Sequence, residues 1–149
     1  MSWSSLQQTR LAAEKDTLDS KLKNVSWFNP TSAGNTRVEW RIKTNNGKNY
    51  TLRIYIPRNF PNECPILVVC SPSTIKRKDG KPLIVANGKD HVYGTHEGFT
   101  EICHFVKEKW SNDNSLYQVL MKGRIWLEAY EIHLRTGEDL EKYLAHMSV

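Results

Sequence analysis

One stretch limits the folds open to this chain. Val38, Trp40 and Ile42 alternate with polar residues, Asn46-Gly47 follows, and Tyr50, Leu52, Ile54 and Ile56 alternate on the return. Period-2 alternation on both sides of an Asn-Gly pair predicts an antiparallel hairpin, because those two residues accept the positive φ of a tight turn. Glu39, Arg41, Thr51 and Arg53 fall on the opposite, wet face. A sheet that is apolar on one face must bury that face against another layer.

The flanking sequence supplies that layer. Residues 5–23 read as a helix, with Leu6, Leu11, Leu18 and Leu22 at loose helical spacing and Glu14, Lys15, Asp16 and Lys21 on a wet face. Asn24 to Asn35, with Pro30, Ser32 and Gly34, reads as a strand edge plus a loop. Ile66 to Cys70 is almost continuously apolar and predicts a central strand. Beyond the Asp79-Gly80 turn, Leu83-Ile84-Val85 is a candidate fourth strand. From Asn87 to Ser111 the pattern breaks into an irregular segment punctuated by Gly88, Gly94 and Gly98.

Ser115 to Gln118 fits a capping box, and Leu116, Val119, Leu120, Trp126, Leu127, Tyr130 and Leu134 then line one side of a helix ended by Gly137. Glu138 to Met147 forms a short last helix. The expected fold is α+β: an N-terminal helix, a meander of about four antiparallel strands, a loop, a long helix and a short one, in a single domain spanning residues 1–149.

No apolar run reaches the roughly 18 residues of a membrane helix. Met1-Ser2-Trp3-Ser4-Ser5 has no basic segment before an apolar core, so no secretory signal is expected. The three cysteines have no close-spaced partner, which predicts free thiols in a reducing, cytoplasmic setting and argues against structural zinc. Net charge of +5 suits an acidic protein partner or weak nucleic-acid contact. The Lys76-Arg77-Lys78 cluster has no interleaved aromatics and reads as a solvated turn, so no specific nucleic-acid binding is expected.

The irregular segment holds Cys103 with three of the five histidines close by in sequence, His91, His96 and His104. Long irregular segments in small domains tend to carry function. Cys103 has two readings: a reactive thiol, or one more small apolar residue in a core. Cys64 and Cys70 lie beside or in a strand and read as packing residues. Trp110, Trp126 and Tyr130 read as core, and His133 and His146 as structural.

Joint order narrows the choice. Phe60-Pro61 and Cys64-Pro65 follow the hairpin, His91 opens the irregular segment, Ile102-Cys103 follows, and Trp110 precedes a Leu-x-x-Val-Leu helix start. That succession resembles the ubiquitin-conjugating enzymes. Trp126-Leu127-Glu128-Ala129-Tyr130-Glu131 with Thr136-Gly137 resembles more narrowly the bacterial ubiquitin-conjugating-like proteins, several of which belong to anti-phage operons of the cyclic-oligonucleotide signalling type. The resemblance covers roughly residues 36–146. It implies a UBC fold in which Cys103 carries, as a thioester, the C-terminus of a ubiquitin-like protein or of a CD-NTase-type nucleotide cyclase and passes it to an amine. It implies no metal or organic cofactor. A separate activating enzyme supplies the ATP-dependent step or is bypassed.

The chain departs from the eukaryotic pattern at one informative place. Where those enzymes carry His-Pro-Asn, with the Asn amide supporting the oxyanion, this chain has His91-Val92-Tyr93. No Asn occurs between Asn87 and Asn112. The bacterial group generally lacks that Asn too. Candidate oxyanion donors are then Tyr93, His96, His104 or backbone amides of the glycine-containing loop. His91 is expected to fix the loop by hydrogen bonds, and His96 or Glu101 to act as base toward the amine. His104, Lys107 and Lys109 are candidate cations favouring the Cys103 thiolate. The competing reading of the same departures is a non-catalytic UBC-fold module that binds a ubiquitin-like protein or a conjugation partner.

Overall fold

The computed structural model describes residues 1–105 and 107–144. Along the chain come α1 (Ser5–Lys21), β1 (Val25–Phe28), β2 (Arg37–Lys43), β3 (Asn49–Tyr55), β4 (Ile66–Ser71), β5 (Val92–His96), β6 (Phe99–Ile102), a 3-10 turn at Lys107–Lys109, α2 (Leu116–Thr136) and α3 (Glu141–Leu144). The strands form one antiparallel sheet in the order β1-β2-β3-β4-β6-β5. The class is α+β, with the N-terminal helix, long helix and short helix in the expected order. His146 and the end of the expected last helix lie outside the described residues.

The β2–β3 hairpin forms as its alternation dictates. Val38 faces Ile54, Trp40 faces Leu52 and Ile42 faces Tyr50, and all six are buried. Gly47 takes φ +80 in the turn, where a Cβ would be strained. On the other face Arg53 pairs with Glu39 at 2.8 Å.

The sheet has six strands rather than about four, and the difference lies in two places. Val25–Phe28 pairs with β2 along its whole length. The segment from Asn87 to Ser111 is not wholly irregular either, because β5 and β6 form a hairpin about Glu97-Gly98, both at positive φ. Leu83-Ile84-Val85, by contrast, is not a strand. The edge of β4 away from β3 is taken by β6, through Val68 opposite Glu101 and Val69 opposite Thr100. Leu83 is instead buried in a loop, its carbonyl accepting from the Thr100 hydroxyl at 2.6 Å, while Ile84 and Val85 are 51% and 71% exposed.

Helix α1 buries less of its leucine stripe than the spacing predicts. Leu6 is 85% exposed, and the buried positions are Leu11, Glu14 and Leu18. Glu14 is buried because its carboxylate accepts the Leu116 N–H (2.7 Å) at the start of α2, where helix amides lack partners of their own. Arg10 balances that charge at 2.9 Å and also donates to the Asn112 and Asn114 carbonyls.

Helix α2 begins with a capping box between Ser115 and Gln118 and ends at Gly137 with φ +79. It lies across the apolar face of the sheet at Gly123. A Cβ there would sit 2.8 Å from Leu52 Cδ1 and 2.9 Å from Leu67 Cδ2, and both leucines are fully buried. His133 is held at both ring nitrogens: Lys78 N–H donates to Nε2 (3.0 Å), and Nδ1 lies 2.7 Å from the Glu138 carbonyl.

This approach generates a stability prediction. Gly123→Val forces methyl groups between α2 and the two leucines, and the overpacking outweighs any gain in helix propensity. A loss of about 2 kcal/mol or more is expected. Urea unfolding followed by circular dichroism measures it, and a midpoint unchanged from wild type would refute the close approach.

Candidate functional site

Cys103 follows directly on β6, whose last three residues Thr100, Glu101 and Ile102 are buried; Ile102 and His104 are fully buried, and Cys103 between them is half-buried. The Cys103 N–H donates to the His91 carbonyl at 2.8 Å, so the backbone carrying the thiol is pinned to the residue before β5. His91 has φ +53, a conformation that a non-glycine residue adopts only where its surroundings hold it.

Its neighbour Asp90 supplies the hold. The fully buried Asp90 carboxylate takes both of its oxygens to Arg77, and one also accepts from Asn87 Nδ2 (2.7 Å). The Asp90 carbonyl accepts Trp126 Nε1 at 2.9 Å, which ties the segment to α2. The Lys89 carbonyl accepts the Glu141 N–H at 2.7 Å, which ties it to α3. His91 therefore holds the loop through its main-chain carbonyl. Burial lowers the pKa of its imidazole, so the ring favours the neutral form.

Tyr93 stands next to the thiol. Its hydroxyl donates to the Phe105 carbonyl at 2.6 Å, and Lys107 Nζ sits 4.8 Å from its ring centre. Burial, followed by hydrogen bonding and charge interaction with Cys103, raises the Tyr93 pKa well above the ordinary phenol value. The phenol therefore keeps its proton through the physiological range. Glu101 is buried and pairs with Lys107 at 3.5 Å.

The other side of the chain is dry. His104 points inward, its Nδ1 3.2 Å from the Ile102 carbonyl and its Nε2 3.7 Å from Cys64 Sγ. With the proton on Nδ1, the ring donates to that carbonyl and leaves Nε2 to accept from the Cys64 thiol. Burial lowers the His104 pKa to about 4 and pushes the Cys64 thiol up to about 11. His104 is thus uncharged at neutral pH and supplies no cation to Cys103.

His96 is also removed from the site. It sits at the turn end of β5 with its ring 4.5 Å from that of Tyr55. The four-residue climb from Val92 separates it from the mouth of the hairpin by roughly 13 Å. The structure gathers Cys103, Tyr93, Glu101 and the His91 carbonyl, and it separates His96 and His104 from them.

Two side chains join the group without a signal in the sequence. Phe105 packs edge-on against Trp110 (5.1 Å between ring centres), and Trp110 Nε1 donates to the Pro61 carbonyl at 2.8 Å. Lys122, from α2, holds its Nζ 3.6 Å from the Phe105 ring centre. Only the packing of α2 on the sheet brings Lys122 to residues so distant in sequence. Among the described residues no group of three or more His, Cys, Asp or Glu side chains is arranged to hold a metal ion, and no helix is long and apolar enough to cross a membrane. No known family model matches the chain, and no curated protein matches it.

The buried histidine carries a signed pH prediction. The His104 pKa is depressed in the folded state relative to about 6.5 in the unfolded chain, so the unfolded state binds the extra proton first. Stability attributable to this ring is complete above about pH 6.5 and is lost as pH falls toward about 4, a change on the order of 3 kcal/mol. His104→Gln should flatten that part of the stability-against-pH curve. An identical acid slope in the two proteins would exclude the buried neutral ring.

Proposed function

We propose that the protein is a ubiquitin-conjugating-like acyl transferase working through a Cys103 thioester. The observation that carries the reading is the placement of a half-buried Cys103 directly after β6, with its N–H anchored on the His91 carbonyl. The succession of N-terminal helix, antiparallel meander, cysteine segment and long helix supports it. β2, β3 and β4 are three of the expected strands, β1 extends the meander at its edge, and the β5–β6 hairpin leads directly into the thiol segment.

In the first step the Cys103 thiolate attacks the carbonyl carbon of an incoming thioester, and the donor thiolate leaves. In the second an amine attacks the Cys103 thioester, a C–N bond forms, the C–S bond breaks and the amine nitrogen loses a proton. Exchange between thioesters is close to thermoneutral, so positioning carries much of the first step. The second builds an oxyanion in a chain that lacks the usual Asn. Tyr93 keeps its O–H beside the sulfur, donated to the Phe105 carbonyl, and serves the oxyanion by exchanging that hydrogen bond for one to the developing charge. Glu101, paired with Lys107, is the candidate acceptor for the amine proton. The acyl group is the C-terminus of a ubiquitin-like protein or of a nucleotide cyclase, in the cytoplasmic anti-phage setting that the sequence resemblance implies. The net charge of +5 suits an acidic partner.

The test uses the purified protein with a ubiquitin-like protein and its activating enzyme, or with a nucleotide cyclase from a neighbouring gene. Non-reducing gels should show an adduct that a thiol reductant removes. Cys103→Ala should abolish it, whereas Cys64→Ala and Cys70→Ala should retain it. An adduct that survives Cys103→Ala would overturn the site. Partner binding without any adduct would favour the non-catalytic module.

A further inference from the structure

We propose that the outer edge of β1 is a docking site for an extended, acidic peptide segment of a partner protein. The segment adds a strand to the sheet and seats one bulky apolar side chain in the tryptophan-lined cavity beside that edge. The inference stands apart from the chemistry at Cys103. β6 lies four strand positions from β1, roughly 19 Å away, so a partner held at β1 leaves the thiol segment open.

The ladder fixes which groups point outward. The Arg41 N–H donates to the Asn24 carbonyl at 3.2 Å, so the hydrogen-bonded pairs of β1 on β2 are Ser26 with Glu39 and Phe28 with Arg37. Val25 and Trp27 therefore turn their N–H and C=O groups away from β2. Among the described residues no other main-chain group pairs with them. The two edges of the sheet differ in this respect. At β5, Asn87 and Val92 exchange two hydrogen bonds (2.8 and 3.0 Å), and Ile84 and Ala86 lie beside Gly94. At β1, Val25-Ser26-Trp27-Phe28 carries no charge, no proline and no bulge, which are the devices that keep an edge from pairing. Phe28 is 43% exposed.

The cavity beside the edge supplies specificity. It measures about 380 Å³, its walls include Trp3, Leu11, Ala12, Trp27 and Pro30, and no acidic residue lines it. Trp27 belongs to both features, because its main chain forms the open edge and the residue lines the cavity. Residues directly opposite on paired strands share a face, so the peptide residue facing Trp27 is the one that meets the cavity. Outward donors and acceptors at strand spacing fit another extended backbone, and a pocket for one side chain selects among such backbones. Net charge of +5, with Lys21 and Lys23 leading into β1, opposes a second copy of this chain and favours an acidic segment.

The probe is a fluorescein-labelled synthetic peptide, Glu-Glu-Val-Thr-Phe-Thr-Val-Glu-Glu, titrated with the full chain and read by fluorescence anisotropy. N-methylation at the Phe removes the N–H that meets the Trp27 carbonyl and should weaken binding by about tenfold or more. N-methylation at the following Thr, whose N–H faces away from β1, should leave binding unchanged. Replacing the Phe by Ser, or filling the cavity with Ala12→Phe at an exposed helix position, should also weaken binding by about tenfold. Bound peptide should slow amide exchange at Val25 and Trp27. No anisotropy change up to roughly 1 mM protein overturns the inference, as do equal affinities for the two N-methyl peptides or an Ala12→Phe variant that binds like wild type. A wild type that sediments as a dimer, and as a monomer once Ala12→Phe is introduced, would make the edge an interface between copies and overturn the peptide assignment.

Discussion

The buried ion pair between Asp90 and Arg77 is the constraint on which the candidate site rests. An isolated carboxylate so deeply buried would cost several kcal/mol, and removing one partner of such a pair typically costs about 3–5 kcal/mol. Arg77 and Asn87 meet that demand with directed hydrogen bonds. Once Asp90 is fixed, its carbonyl meets the Trp126 indole and the next residue is held at a left-handed φ. The His91 carbonyl then faces the Cys103 amide. A turn, a long helix and the thiol segment thus share one anchor, and none of the three is positioned by its own propensity alone.

The second organising fact is the division of one short segment between water and core. Cys103 and Cys64 carry the same functional group in different media. Cys64 pairs with a neutral imidazole inside the fold, and burial makes its ionisation difficult. Cys103 meets solvent beside Tyr93. Residue identity alone does not separate an inert thiol from a reactive one; the surroundings do.

Local rules made much of the fold legible in the sequence. Gly47, the Ser115 and Gln118 capping pair and Gly137 each act within a few residues and appear where their chemistry requires, whereas Asn46 does not take the positive φ expected of it. The β5–β6 hairpin escaped the same reasoning because Gly94 interrupts its alternation and a register shift falls between Val92 and Gly94. Leu83-Ile84-Val85 had strand composition, but β6 takes the edge of β4 and the segment only passes beside Gly94 of β5 without entering the sheet. In the site, Cys103 and Tyr93 were readable from their order along the chain. The inward turn of His104 was not, because its partner Cys64 lies 40 residues away in sequence. The sequence also ranked Leu6 with the buried leucines, although α1 contacts the core through a narrower stripe.

The alternation of Ile102, Cys103 and His104 has a consequence for how this chain can vary. Side chains along an extended strand exchange faces with every single-residue step. Deleting or inserting one residue within β6 would carry Cys103 and His104 out of step with the His91 carbonyl that holds the Cys103 amide, with every side chain type still present. Length is therefore more tightly constrained here than composition. A Cys-to-Ser exchange removes one atom's chemistry, whereas a one-residue slip would misplace every buried side chain around the thiol.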